Sequence, residues 1–147
     1  MEKIRIFLSL PMSGFTDKEI QENINKMKSI IMLKNPFGDV EIEFVDNTDC
    51  PPIDSRDAVT PNLLYLGEAI KKMATCNAAV FHPEYSFARG CNVELDVCKA
   101  YGIPAYGIDE FHGFEWVPLH TNYWGMKLYK EAKVDENSDN CESNLLS

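Results

Sequence analysis

A chain of 147 residues, 45% of them hydrophobic, can bury one core and is too short for two ordinary domains. Its formal net charge of -9 works against non-specific attachment to a phosphate polymer, so neither DNA nor RNA is expected as a partner. The apolar runs are strand-length, far short of the ~20 residues of a membrane span. The start Met1-Glu2-Lys3-Ile4-Arg5-Ile6 enters a strand pattern without the regions of a secretion signal, so the expectation is a cytoplasmic protein that meets no membrane.

Ile4 to Leu10 is a short apolar run with β-branched character, closed by Pro11-Met12-Ser13-Gly14, and reads as a buried strand entering a loop. Thr16 and Glu19 have the spacing of a capping box. Ile20, Ile24, Met27 and Ile31 then recur at helical spacing, which predicts a helix over 17–33. A turn at Asn35-Pro36-Phe37-Gly38-Asp39 leads to Val40, Ile42 and Phe44, alternating with Glu41 and Glu43 as in a half-exposed outer strand.

The stretch from Asp46 to Pro61 is rich in Asp, Pro, Asn and Thr and has no period, so it reads as a long loop of the functional or mobile class. Leu63, Leu66, Ile70 and Met73 restore the helical period, and Asn77 to His82 follows as a short apolar strand. After a polar and aromatic loop from His82 to Gly90, Val93, Val97 and Tyr101 form a helical stripe, ended by Gly102 and followed by a strand over 103–108. Trp116, Tyr123, Trp124 and Tyr129 suit docking on the core or on a neighbouring subunit. The expected domain is 1–134, with 135–147 a disordered acidic tail.

Strands alternating with helices imply a parallel sheet covered on both faces, with ligands outside the carboxyl ends of the strands. Three loops meet that edge: Ser9 to Phe15, His82 to Gly90, and the segment from Asp46. In the first, Ser9, Pro11, Met12, Ser13 and Gly14 precede a helix N-terminus whose N–H groups and dipole suit a phosphate or a sugar hydroxyl. The same pattern is also that of an ordinary capped turn.

In the second, Ser86-Phe87-Ala88-Arg89-Gly90-Cys91-Asn92-Val93-Glu94 puts Glu94 in the first helical turn. A carboxylate there either complements the helix dipole or acts as a nucleophile at a sugar carbon. Arg89 either grips a phosphate or solvates the loop, and Gly90 allows close ligand approach or serves the turn. His82 suits a local hydrogen bond better than catalysis. Phe15, Tyr85 and Phe87 pack on the core or stack on a base. Five cysteines lack a Cys-x-x-Cys pair and three histidines stand apart, so free thiols, no metal and no cofactor are expected.

Ile4-Arg5-Ile6-Phe7-Leu8-Ser9 with Pro11-Met12-Ser13-Gly14, and Ala88-Arg89-Gly90-Cys91-Asn92-Val93-Glu94 leading to Ala100-Tyr101-Gly102-Ile103-Pro104, resemble the nucleoside 2-deoxyribosyltransferase-like superfamily, most of all its short phage and bacterial members. The resemblance spans about residues 4–108 and implies a flavodoxin-like three-layer sandwich. It further implies transfer or hydrolysis of the N-glycosidic bond of deoxynucleosides or their 5′-monophosphates. Glu94 then matches the nucleophilic glutamate, and the Ser9 to Gly14 loop helps hold the sugar or phosphate.

These enzymes often complete the pocket from a neighbouring subunit, which implies a homo-oligomer and suggests Asn122 and Tyr123 for that role. Three positions depart from the pattern: Phe7 stands where a Tyr is usual, Ala69 where many carry an Asp, and Ala88 where an acid often helps the base to leave. They motivate the alternative of a non-catalytic protein that binds or sequesters a nucleotide-derived ligand. A third reading is an interaction domain that uses the segment from Trp116 to Tyr129.

Overall fold

A computed structural model of the chain describes residues 2–35, 37–54, 56, 59–109 and 115–120. In chain order the elements are β1 (Glu2–Ser9), α1 (Asp17–Leu33), β2 (Val40–Val45), α2 (Pro61–Met73), β3 (Ala78–Phe81), α3 (Arg89–Tyr101), β4 (Ala105–Asp109) and β5 (Glu115–His120), with a single 3-10 turn at Tyr85–Phe87 between β3 and α3. The five strands form one sheet in the order β2-β1-β3-β4-β5. β1 pairs in parallel with both β2 and β3, and β3 with β4.

β5 departs from the expected all-parallel sheet: it runs antiparallel to β4 along that strand's outer edge. Residues 110–114 alone separate the two strands, far fewer than the dozen or so that a parallel crossover needs. Part of the aromatic segment after Phe114 therefore docks on the chain's own sheet, where Leu119 packs among residues of its apolar core. Residues 121–147, with Asn122, Tyr123, Trp124, Tyr129 and the acidic tail, lie outside the described residues.

β3 and the second half of β1, in the middle of the sheet, are buried on both faces. Ile4, Ile6 and Leu8 of β1 and Ala78 and Val80 of β3 join Ile24, Met27 and Ile31 of α1 in one buried cluster. Phe7, Ala79 and Phe81 join Ala69 and Met73 of α2 and Cys91, Leu95 and Cys98 of α3 in a second. β2, paired on one side only, keeps its residues half-exposed, as its alternating pattern predicts.

α1 begins as expected: the Thr16 hydroxyl accepts from the Glu19 N–H at 3.2 Å and the Glu19 carboxylate accepts from the Thr16 N–H at 2.9 Å. α2 starts with Pro61 and ends with Lys71 and Lys72 in its last turn, both favourable to a helix. α3 ends at Gly102, whose φ of 72° is left-handed and suits a residue without a side chain. No described helix is long and apolar enough to cross a membrane.

Two helix faces are rotated from the sequence expectation. α3 buries Cys91, Glu94, Leu95 and Cys98, while Tyr101 is 81% exposed and Val93 and Val97 flank the buried stripe. In α2 the buried residues are Ala69 and Met73, and Leu63 points outward.

Candidate functional site

The strand order reverses at β1. The chain leaves β1 for β2 on one side and later returns to β3 on the other, so the switch point of the strand order, the place where open α/β sheets bind ligands, lies between the carboxyl ends of β1 and β3. Ser9 and Phe81, the last residues of these strands, are register partners there. The final bond between them runs from the His82 N–H to the Ser9 carbonyl, at 2.8 Å.

Glu94 reaches this point from α3. It is the sixth helical residue, in the second turn rather than the first, because α3 starts at Arg89, earlier than the loop composition suggests. A carboxylate one turn into a helix lies away from the free N–H groups, so complementing the dipole is a poor account of it. Its oxygen Oε1 accepts a hydrogen bond from the Ser9 hydroxyl at 2.7 Å, and both groups are buried, Glu94 at 7% exposure and Ser9 at 1%. Burial pushes the Glu94 carboxyl up to about 7, with the Ser9 hydroxyl pulling the other way.

Cys91, one turn before Glu94 on the same face, adds a buried thiol. Burial pushes that thiol up to about 11, the Ser9 hydroxyl opposing and the Glu94 charge reinforcing. Cys98 is pushed up to about 12, by burial first and then by the Glu94 charge. Neither thiol supplies a thiolate at neutral pH. The Cys98 thiol lies 3.7 Å from the Met73 sulfur, so both cysteines are core groups.

The other predicted site residues divide. Met12 packs on the α1-side cluster, while Glu94 belongs to the opposite face. Pro11 is half-buried, and Ser13 and Gly14 are exposed in a turn closed by the Phe15 N–H on the Met12 carbonyl at 3.1 Å, with Gly14 at φ 86°. The N-terminus of α1 is already filled by Thr16 and Glu19, with Asp17 beside them, so phosphate binding there meets two carboxylates. Arg89 and Gly90 are exposed as the first two residues of α3. The space a side chain at Gly90 would occupy is open, with no atom within 4 Å. Asn122 lies outside the described residues.

His82 has the local role expected of it, its Nδ1 accepting from the Glu84 N–H at 3.0 Å. Tyr85 packs edge-on against Phe81 with ring centroids 5.7 Å apart, whereas Phe87 is 87% exposed beside the edge. The loop from Asp46 is tied back to α2: the Asn47 side chain donates to the Tyr65 carbonyl at 3.0 Å, the Ile53 N–H donates to the Tyr65 hydroxyl at 2.6 Å, and Lys72 binds both Asn47 and Asp49. Among the described residues no group of three His, Cys, Asp or Glu could hold a metal ion.

Sequence reasoning placed Ser9 against a ligand and missed Cys91 as a buried residue on the Glu94 face of α3. The available signals were a single polar residue closing an apolar strand, and a small apolar residue three positions before a helical Glu. Compared with known proteins, the chain matches no family model, no curated protein and no solved structure.

Proposed function

We propose that this chain breaks or transfers the N-glycosidic bond of a nucleoside or its 5′-monophosphate, with Glu94 as the nucleophile. The observation that carries the reading is the buried Glu94 carboxyl, held by Ser9 at the switch point between β1 and β3. A carboxylate oxygen attacks C1′ as the C1′–N bond breaks, giving a glycosyl ester and a base that leaves with the bonding electrons and takes up a proton. Water or a second base then displaces Glu94 from C1′ and regenerates the carboxylate.

With Ala88 in the place of an acid, the leaving base draws its proton from water. General acid help is worth roughly 10²- to 10⁴-fold, so the enzyme of this reading is slow. The sheet order and the two apolar clusters, one shared with α1 and one with α2 and α3, support a flavodoxin-like three-layer sandwich as the scaffold. The exposed Leu63, Leu64, Phe87 and Tyr101 support self-association.

The test is chromatographic, with deoxynucleosides, ribonucleosides and their monophosphates incubated with the wild type and with Glu94→Gln. Base release or exchange by the wild type, reduced at least ~10³-fold in the variant, is expected. The rate should rise with pH through about 7 as Glu94 ionises, since the carboxylate is the reactive form. Intact substrates in both samples, with calorimetric binding retained, would instead establish the second reading, a non-catalytic nucleotide-binding module. What favours that module is the apolar packing of Phe7 and Ala69 on the Glu94 side of the sheet.

A further inference from the structure

We infer that Ser9 is a positioning residue for Glu94 and not a ligand contact: its hydroxyl ties the carboxylate to the carboxyl end of β1 and commits its one proton there. The inference deepens the N-glycosidic reading and rests on it for what Glu94 does.

Ser9 is held on three sides. It ends β1 in register with Phe81, its carbonyl accepts the His82 N–H at 2.8 Å, and its hydroxyl lies 2.7 Å from Glu94 Oε1. At 1% exposure it has almost no surface to offer a ligand. A hydroxyl carries one hydrogen, and a carboxylate can only accept, so that hydrogen belongs to the bond with Glu94.

Among the described residues no cation acts on the Glu94 carboxyl, which answers to burial and to the Ser9 hydroxyl. The buried cluster around it draws Phe7 from β1, Ala79 and Phe81 from β3, Ala105 from β4, Ala69 and Met73 from α2, and Cys91, Leu95 and Cys98 from α3. The titratable members are the two thiols, both protonated at neutral pH. Among these groups the Ser9 hydroxyl is the strong donor that stabilises the ionised, reactive form of Glu94. It acts through that carboxylate, and its loss should change turnover far more than substrate affinity.

The experiment compares wild type, Ser9→Ala, Ser9→Thr and Ser9→Cys, each checked for folding by circular dichroism. One readout is the Glu94 carboxyl titration by carbon-13 NMR, assigned by its absence in Glu94→Gln. The other is the pH profile of base release. In Ser9→Ala the carboxyl titration and the acidic limb of kcat should move up together by about one to two pH units. At pH 7 kcat should fall about 5- to 50-fold while KM changes less than about twofold. Ser9→Thr, which keeps the hydroxyl, should restore both, and Ser9→Cys, a weaker donor of similar size, should fall between.

A raised KM with an unmoved carboxyl titration in Ser9→Ala, or in Ser9→Cys if the alanine variant does not fold, overturns the inference. A wild type that turns over no nucleoside or nucleotide removes the N-glycosidic reading alone. The carboxyl titration then decides Ser9 by itself: moved, the positioning role stands; unmoved, it falls.

Discussion

Burying Glu94 opposes folding once the carboxyl ionises, and the sign of the effect sets a pH window. Below the ordinary carboxyl value of 4.5 the group is protonated in both the folded and the unfolded chain and contributes no difference. Between 4.5 and about 7 the unfolded chain releases its proton while the folded one retains it, so stability falls as pH rises through that range and levels off above it. The loss amounts to about 3 kcal/mol for a shift of this size. Urea unfolding at pH 5 and pH 8 should show the wild type losing roughly 2–3 kcal/mol more than Glu94→Gln over that interval. Equal losses would mean that the carboxyl is already ionised in the folded chain at pH 5.

The same residue shows how legible the site was. A Glu on a helix following a loop at a strand end was visible as a candidate, but its depth in α3 and its partner were not. The depth depends on α3 starting at Arg89, and the partner on a contact between residues 85 positions apart.

At the scale of elements, local chemistry was the most transparent. α1 spans Asp17–Leu33 as its periodicity predicts, because a capping box starts it and Ile24, Met27 and Ile31 give it one buried stripe. Thr16→Ala removes the side-chain acceptor for the Glu19 N–H, and urea denaturation should register a loss of about 1 kcal/mol. Because Thr16 is exposed and apart from the Ser9–Glu94 pair, that variant should leave the Glu94 carboxyl titration where it was.

α3 was harder to read. Its aliphatic and aromatic residues Val93, Val97 and Tyr101 suggest one face, yet the helix packs through Cys91, Leu95 and Cys98 with Glu94 among them. Cysteine packs as a small apolar residue, and a buried carboxyl looks in the sequence like a surface charge. β5 was hidden for another reason: Glu115–His120 becomes a strand by pairing with β4, and its own pattern does not announce that partner.

For the molecule as a whole, the sheet ties the two apolar clusters together, since adjacent residues of β1 and β3 feed opposite clusters. Met27→Ala on one side and Met73→Ala on the other should each cost about 2–5 kcal/mol, as expected for a fully buried methionine. Combined, the two losses should add within about 0.5 kcal/mol in a single urea transition, because the sites share no cluster. Two separable transitions would show instead that one cluster survives without the other.

Sequence alone determined the alternation of strands and helices, the caps of α1 and α3, and a carboxylate and a serine as candidates near the strand ends. These follow from short-range periodicity and from turn chemistry, which act over a few residues. Tertiary structure alone decided the antiparallel β5, the rotated faces of α2 and α3, and the pairing of Ser9 with Glu94. Each of these depends on contacts between segments distant in the chain. The energy of such contacts comes from burial and register across the sheet, which no local pattern encodes.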